Sequence, residues 1–105
     1  MSITAYSTTP SSIINRIRNG ISRNEIRTWI FDRNGYMRYT VPQYQDIAWV
    51  HPSIQRNSVV FEIEYDDEDL NLGYYGIFYG RLIEILISHC FNIIDYIKIE
   101  WTKKR

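Results

Sequence analysis

Val59, Phe61, Ile63 and Tyr65 alternate with Val60, Glu62 and Glu64. A two-residue period of this kind predicts a half-buried strand with both glutamates turned to solvent. Upstream, Asn34-Gly35 divides two aromatic and β-branched runs within residues 28–41, which marks a hairpin. A two-residue turn would set Phe31 opposite Arg38. A three-residue loop, Arg33-Asn34-Gly35 with Gly35 left-handed, instead pairs Phe31 with Met37 and Trp29 with Tyr39. That register gathers Trp29, Phe31, Met37, Tyr39 and Val41 on one face, and burial favours it because a one-residue slip reverses every side chain.

Helical spacing appears twice. Ile13, Ile14, Ile17 and Ile21 share a face, with Ser11 or Ser12 as the expected cap and Gly20 as the expected left-handed end. Ser22-Arg23-Asn24-Glu25 matches a capping box and predicts one further helical turn. The second helix is expected over residues 72–91, with Tyr75, Phe78, Leu82, Ile85, Leu86 and His89 near one face. Its glycines, Gly73, Gly76 and Gly80, predict loose first turns or a close approach to the backbone. Asp46–His51 reads as a strand stopped by Pro52. A last strand ends the fold, with Ile97, Ile99 and Trp101 inward and Tyr96, Lys98 and Glu100 outward.

The predicted order is α-β-β-β-β-α-β: a single two-layer α+β domain, a mostly antiparallel sheet with helices packed on one face. Residues 1–10 read as a flexible lead, residues 11–101 as the domain and residues 102–105 as a basic tail. The 105 residues are 45% hydrophobic and 23% charged, which suits a globular domain rather than a disordered chain. Aromatic residues reach 15%, with nine tyrosines, and such rings serve recognition as well as cores.

Net charge is zero but unevenly spread. Residues 1–53 hold six arginines and three acids, whereas residues 54–105 hold nine acids and six bases. That polarity favours a charged partner. Cys90 is the only cysteine, so neither an internal disulfide nor a cysteine zinc cluster is expected. The first residues lack a basic segment followed by an apolar run, and the apolar stretch from Leu82 to Ile94 is too short and polar to span a bilayer. A cytoplasmic protein is expected.

The sharpest chemical feature is Glu62, Glu64, Asp66, Asp67, Glu68 and Asp69, six carboxylates within eight residues, followed by Tyr74 and Tyr75. The run lacks the glycine and glutamate positions of a calcium-binding loop. Clustered, solvated carboxylates also lack the contrasting environments that acid–base catalysis needs. Two readings stay open: a solvated loop beside a helix N-terminus, or a docking surface in which Tyr65, Tyr74 and Tyr75 anchor and the carboxylates attract a basic protein. His89 and Cys90 are adjacent on a helix and point about 100° apart, so they do not form a nucleophile pair. The scattered arginines, at zero net charge, do not make a nucleic-acid surface.

In size, charge and its acidic–aromatic stretch from Glu62 to Tyr75, the chain resembles the small immunity proteins that bacteria pair with contact-dependent growth-inhibition toxins. The resemblance implies a non-catalytic inhibitor that binds a cognate basic toxin, often a nuclease. It implies no cofactor, no metal, no direct nucleic-acid contact and no membrane. The competing reading is a regulatory or phage-type accessory module that dimerises through an exposed sheet edge or the Gly76/Gly80 helix face.

Overall fold

The computed structural model describes residues 2–42, 48–65 and 72–101, with backbone alone for Tyr65 and for 72–75. Eight elements follow in order: β1 (Ser2–Tyr6), α1 (Pro10–Ser22), β2 (Trp29–Phe31), β3 (Met37–Tyr39), β4 (Ala48–Ile54), β5 (Ser58–Tyr65), α2 (Leu72–Cys90) and β6 (Tyr96–Glu100). The strands form one antiparallel sheet in the order β2-β3-β4-β5-β1-β6. Strands β2 to β5 form a meander. Both β5 and β6 run antiparallel to β1, so α2 carries the chain over β1 between two parallel strands. The α+β, two-layer expectation holds, with one more strand than expected.

That strand corrects the reading of residues 1–10 as a flexible lead. β1 lies between β5 and β6, with Ile3 and Ala5 fully buried. Alternation within Ser2–Tyr6 is too short to stand out, and it becomes a strand because both of its edges are paired. Residues 2–6 are therefore part of the domain. Residues 102–105, read as a basic tail, lie outside the described residues.

The hairpin takes the three-residue loop. Phe31 faces Met37, Trp29 faces Tyr39, and Gly35 has φ +82°. Alternate residues of every strand then point to one side: Ile3, Ala5, Trp29, Met37, Tyr39, Ala48, Val50, Val59, Phe61 and Ile63 are buried there. Both helices cover this side, α1 through Ile13, Ile14 and Ile17, α2 through Phe78, Leu82, Ile85 and Leu86. Phe78 meets Trp29 and Tyr39 edge-on or tilted, at centroid distances of 6.4 and 5.7 Å.

Several local expectations are corrected. Helix α1 starts at Pro10, with Thr9 at the cap position and the Ser7 hydroxyl accepting the Thr9 N–H at 3.0 Å, so neither Ser11 nor Ser12 caps it. Gly20 is inside α1 and buried; the left-handed residue is Asn24, at φ +62°. Residues 22–25 form no new helical turn, because the Glu25 and Ile26 N–H groups both close on the Gly20 carbonyl. Pro52 does not stop β4, which continues to Ile54. The Gln55 N–H to Ser58 carbonyl bond fixes the parity: odd residues of β4 bond to β5, so Pro52 turns its missing donor away from β5. β3 pairs only with Trp49 and Val50, so no ladder bond is lost. Asp46 and Ile47 lie outside the described residues.

Candidate binding face on the open side of the sheet

The helices occupy one side of the sheet, and the even-numbered residues of its strands form the other, apart from β4, where Trp49, His51 and Ser53 do so. Ile30, His51, Glu62, Tyr96, Lys98 and Glu100 are exposed on this side, and Arg38, Trp49, Val60 and Glu64 are half-buried.

Three of these strands and the hairpin loop are linked laterally. Asp32, in the hairpin loop, accepts the N–H groups of Asn34 at 2.9 Å and Tyr36 at 3.0 Å, which closes the turn. Its other oxygen accepts from Arg38 Nε at 3.0 Å. Desolvation pushes the Asp32 pKa up, but the hydrogen bonds from Arg38, Tyr36 and Asn34, with the Arg38 charge, outweigh it and hold the carboxyl below its usual value. The Arg38 guanidinium in turn lies 4.8 Å from the centre of the Trp49 ring. Trp49 Nε1 donates to Glu64 Oε2 at 2.9 Å. A relay of acid, base, ring and acid thus runs from the hairpin loop across β3 and β4 to β5. Beside it the Tyr36 and His51 rings are 4.9 Å apart, and His51 is paired across the ladder with Glu62. At the far end Tyr6 stacks on Tyr96 at 4.2 Å.

Of the expected docking residues, Glu62 and Glu64 project from β5 onto this open side, away from the helices. Tyr65 ends β5 opposite Ala48, while Tyr74 and Tyr75 belong to the first turns of α2, in the other layer. Asp66, Asp67, Glu68 and Asp69 lie outside the described residues. Sequence reasoning missed Arg38, Trp49, Asp32 and His51 as neighbours of these glutamates. The alternation of "VVFEIEY" with the hairpin register pointed to their shared face, but the β3–β4 and β4–β5 pairings had to be known first.

A second polar region lies between the helices. Arg16, Asn19, Gly20, Arg23, Glu25, Ser88 and His89 line a cleft of about 290 Å³. Arg16 donates to the His89 carbonyl at 3.3 Å and to the Asn92 side chain, which ties the end of α2 to α1. His89 Nδ1 is 4.0 Å from Glu25 Oε2. Cys90 is turned away from this cleft: its thiol is fully buried and donates to the Ile13 carbonyl at 3.8 Å. Burial pushes the thiol up to about 11, against a smaller opposing effect of Arg16, so it is protonated at neutral pH.

Among the described residues no three metal-ligating side chains converge, and no helix is long and apolar enough to cross a membrane. Comparison with protein-family models, curated proteins and solved structures finds no match to this chain.

Proposed function

We propose that this protein is a non-catalytic binding protein that neutralises a basic partner, in the manner of a bacterial immunity protein acting on a nuclease-type toxin in the cytoplasm. The observation that carries the reading is the open side of the sheet, where Glu62 and Glu64 stand beside Trp49 and His51 on adjacent strands. Carboxylates set among flat rings reproduce the pattern of phosphate and base that a nucleic-acid-binding cleft accepts. The same carboxylates repel a nucleic acid itself. Complementary charge also speeds encounter, which suits an inhibitor that must reach its target first. The acidic residues 66–69, next in the chain after β5, extend the same charge.

The test is capture of the partner by tagged protein from native host cells, washed at low and then high salt. One stoichiometric basic protein, released by salt, is expected. Glu62→Gln with Glu64→Gln, and separately Asp66, Asp67, Glu68 and Asp69 changed to Asn and Ser, should each slow association with that partner about tenfold or more. Cooperative melting should be unchanged. Undiminished association in both variants would overturn the acidic docking face.

A further inference from the structure

β6 closes one end of the sheet, and among the described residues no strand pairs with its outer side. The parity of the ladder identifies which backbone groups are left there. The Ser7 N–H bonds to the Asn57 carbonyl at 3.0 Å, which continues the β1–β5 register and assigns the odd residues of β1 to β5. Its even residues then bond to β6, through the pairs Ser2–Glu100, Thr4–Lys98 and Tyr6–Tyr96. Ile97 and Ile99 therefore turn their N–H and C=O groups outward.

Apolar surface collects along this edge. The expectation that Ile99 is inward holds for its direction, since it pairs with buried Ile3, but not for its burial: Ile99 is 50% exposed, and Trp101, just past the strand, is 46% exposed. The Tyr79 hydroxyl donates to the Glu100 carbonyl at 3.0 Å, so this side of α2 flanks β6. Ile83 follows Tyr79 by four residues and is partly buried against the core; Ile87, further along α2, is 55% exposed and Phe91, just past its end, 72%. Tyr96 is 59% exposed on the opposite side of the strand. An edge of this length with apolar flanks is a template for another strand.

We propose that a second copy of the chain occupies this edge, with β6 pairing antiparallel to β6 about a two-fold axis at Ile99. The charges select that register. An axis at Lys98 would set Lys98 against Lys98, and one at Glu100 would set Glu100 against Glu100, both like-charge pairs directly opposed. An axis at Ile97 sets Lys98 against Tyr96 and leaves both charges unmatched. With the axis at Ile99, Lys98 opposes Glu100 twice, on the open side. On the helical side Ile99 meets its own copy and Ile97 meets Trp101. Lys98 Nζ already lies 3.3 Å from Glu100 Oε1 within one chain, with both side chains largely exposed, so pairing builds a four-charge cluster. The odd residues again meet odd residues, as the outward N–H and C=O groups require. The result is one continuous twelve-stranded sheet, twice the six of one chain, whose ends are both β2. This pairing is independent of the binding reading above, and its test needs only the chain itself.

Sedimentation equilibrium of the full chain should give twice 12.6 kDa. Lys98→Glu alone and Glu100→Lys alone each create two like-charge pairs and should weaken the dimer about tenfold. The double variant Lys98→Glu/Glu100→Lys should restore it. Ile99→Cys should oxidise to a linked dimer, since opposed Cα atoms in a hydrogen-bonded pair lie about 5.5 Å apart, within disulfide reach. Tyr96→Cys should not. A chain that stays monomeric across the accessible concentrations would overturn the proposal. So would a dimer indifferent to all three charge variants, which would assign association to another surface such as the Gly76/Gly80 face of α2.

Discussion

Cys90 shows how a single buried group ties stability to pH. Its thiol sits against the Ile13 carbonyl at the junction of the two helices, and burial raises its pKa from 9.0 to about 11. The unfolded chain therefore loses this proton first as the pH rises. Stability is fully present below pH 9 and falls between 9 and 11, because there the folded state binds the extra proton. Tyr79, raised to about 12 by burial and by the Glu100 carboxylate, adds a loss of the same sign at higher pH. Urea unfolding followed from pH 8 to 11 should show a decline on the order of 1 to 2 kcal/mol, taken below the full ~1.4 kcal/mol per pKa unit to allow for solvent screening. Cys90→Ala should flatten the part between 9 and 10, below the range in which Tyr79 contributes its own loss. The assignment of Cys90 as a buried thiol could be read from its helical position. Its partner at Ile13 could not, because 77 residues separate the two.

Elements reveal the different work done by similar glycines. A Cβ on Gly20 would come 2.7 Å from Ile26 Cδ1 and 3.0 Å from its Cγ1, so glycine there permits the return of the chain against α1. Gly76 and Gly80 are exposed, and a Cβ on either would meet nothing within 4 Å. Among the described residues, the close backbone approach expected at these two is therefore not found. Gly20→Ala gains about 1 kcal/mol of helix propensity but overpacks the core by roughly 1–3 kcal/mol, for a net loss of about 1 kcal/mol. In an Ile26→Val background, which removes the clashing methyl, the same change should be neutral or stabilising. Gly80→Ala should stabilise by about 0.5–1 kcal/mol. Shifts of denaturation midpoint across these four variants check the contrast. From sequence, Gly20 read as a left-handed helix end and Gly76 and Gly80 as loose turns or points of close approach, so the one glycine that space requires was not the one expected.

At the scale of the whole molecule, β1 holds the sheet together. It bridges the meander β2 to β5 on one side and β6 on the other, and Ile3 and Ala5 enter the core at its centre. Removing residues 2–6 would strip the inner edge of β5 and leave β6 with no sheet to join. Such a truncated chain should lose its single cooperative thermal transition and its dispersed amide NMR spectrum. If it still melted as one unit, the central role of β1 would be wrong. The open face is decided at this scale too. Arg38, Trp49 and Glu64 come from three strands, and only their registers bring the guanidinium to the ring and the indole N–H to the carboxylate.

Periodicity and turn chemistry determined much of this protein before any contact was known. The hairpin register, the inward face of β5 and the buried face of α2 each depend on a local repeat of two or 3.6 residues, and each was legible. β1, the passage of β4 through Pro52 and the exposure of Ile99 and Trp101 were not. A short strand exists only because two others flank it, a proline is tolerated only where no neighbour needs its N–H, and an inward-pointing side chain is buried only if a helix reaches over it. The acidic stretch divides in the same way: its charge and the outward turn of Glu62 and Glu64 were plain in the sequence, but the meeting of Glu64 with Trp49 and of Glu62 with His51 follows from which strands became neighbours.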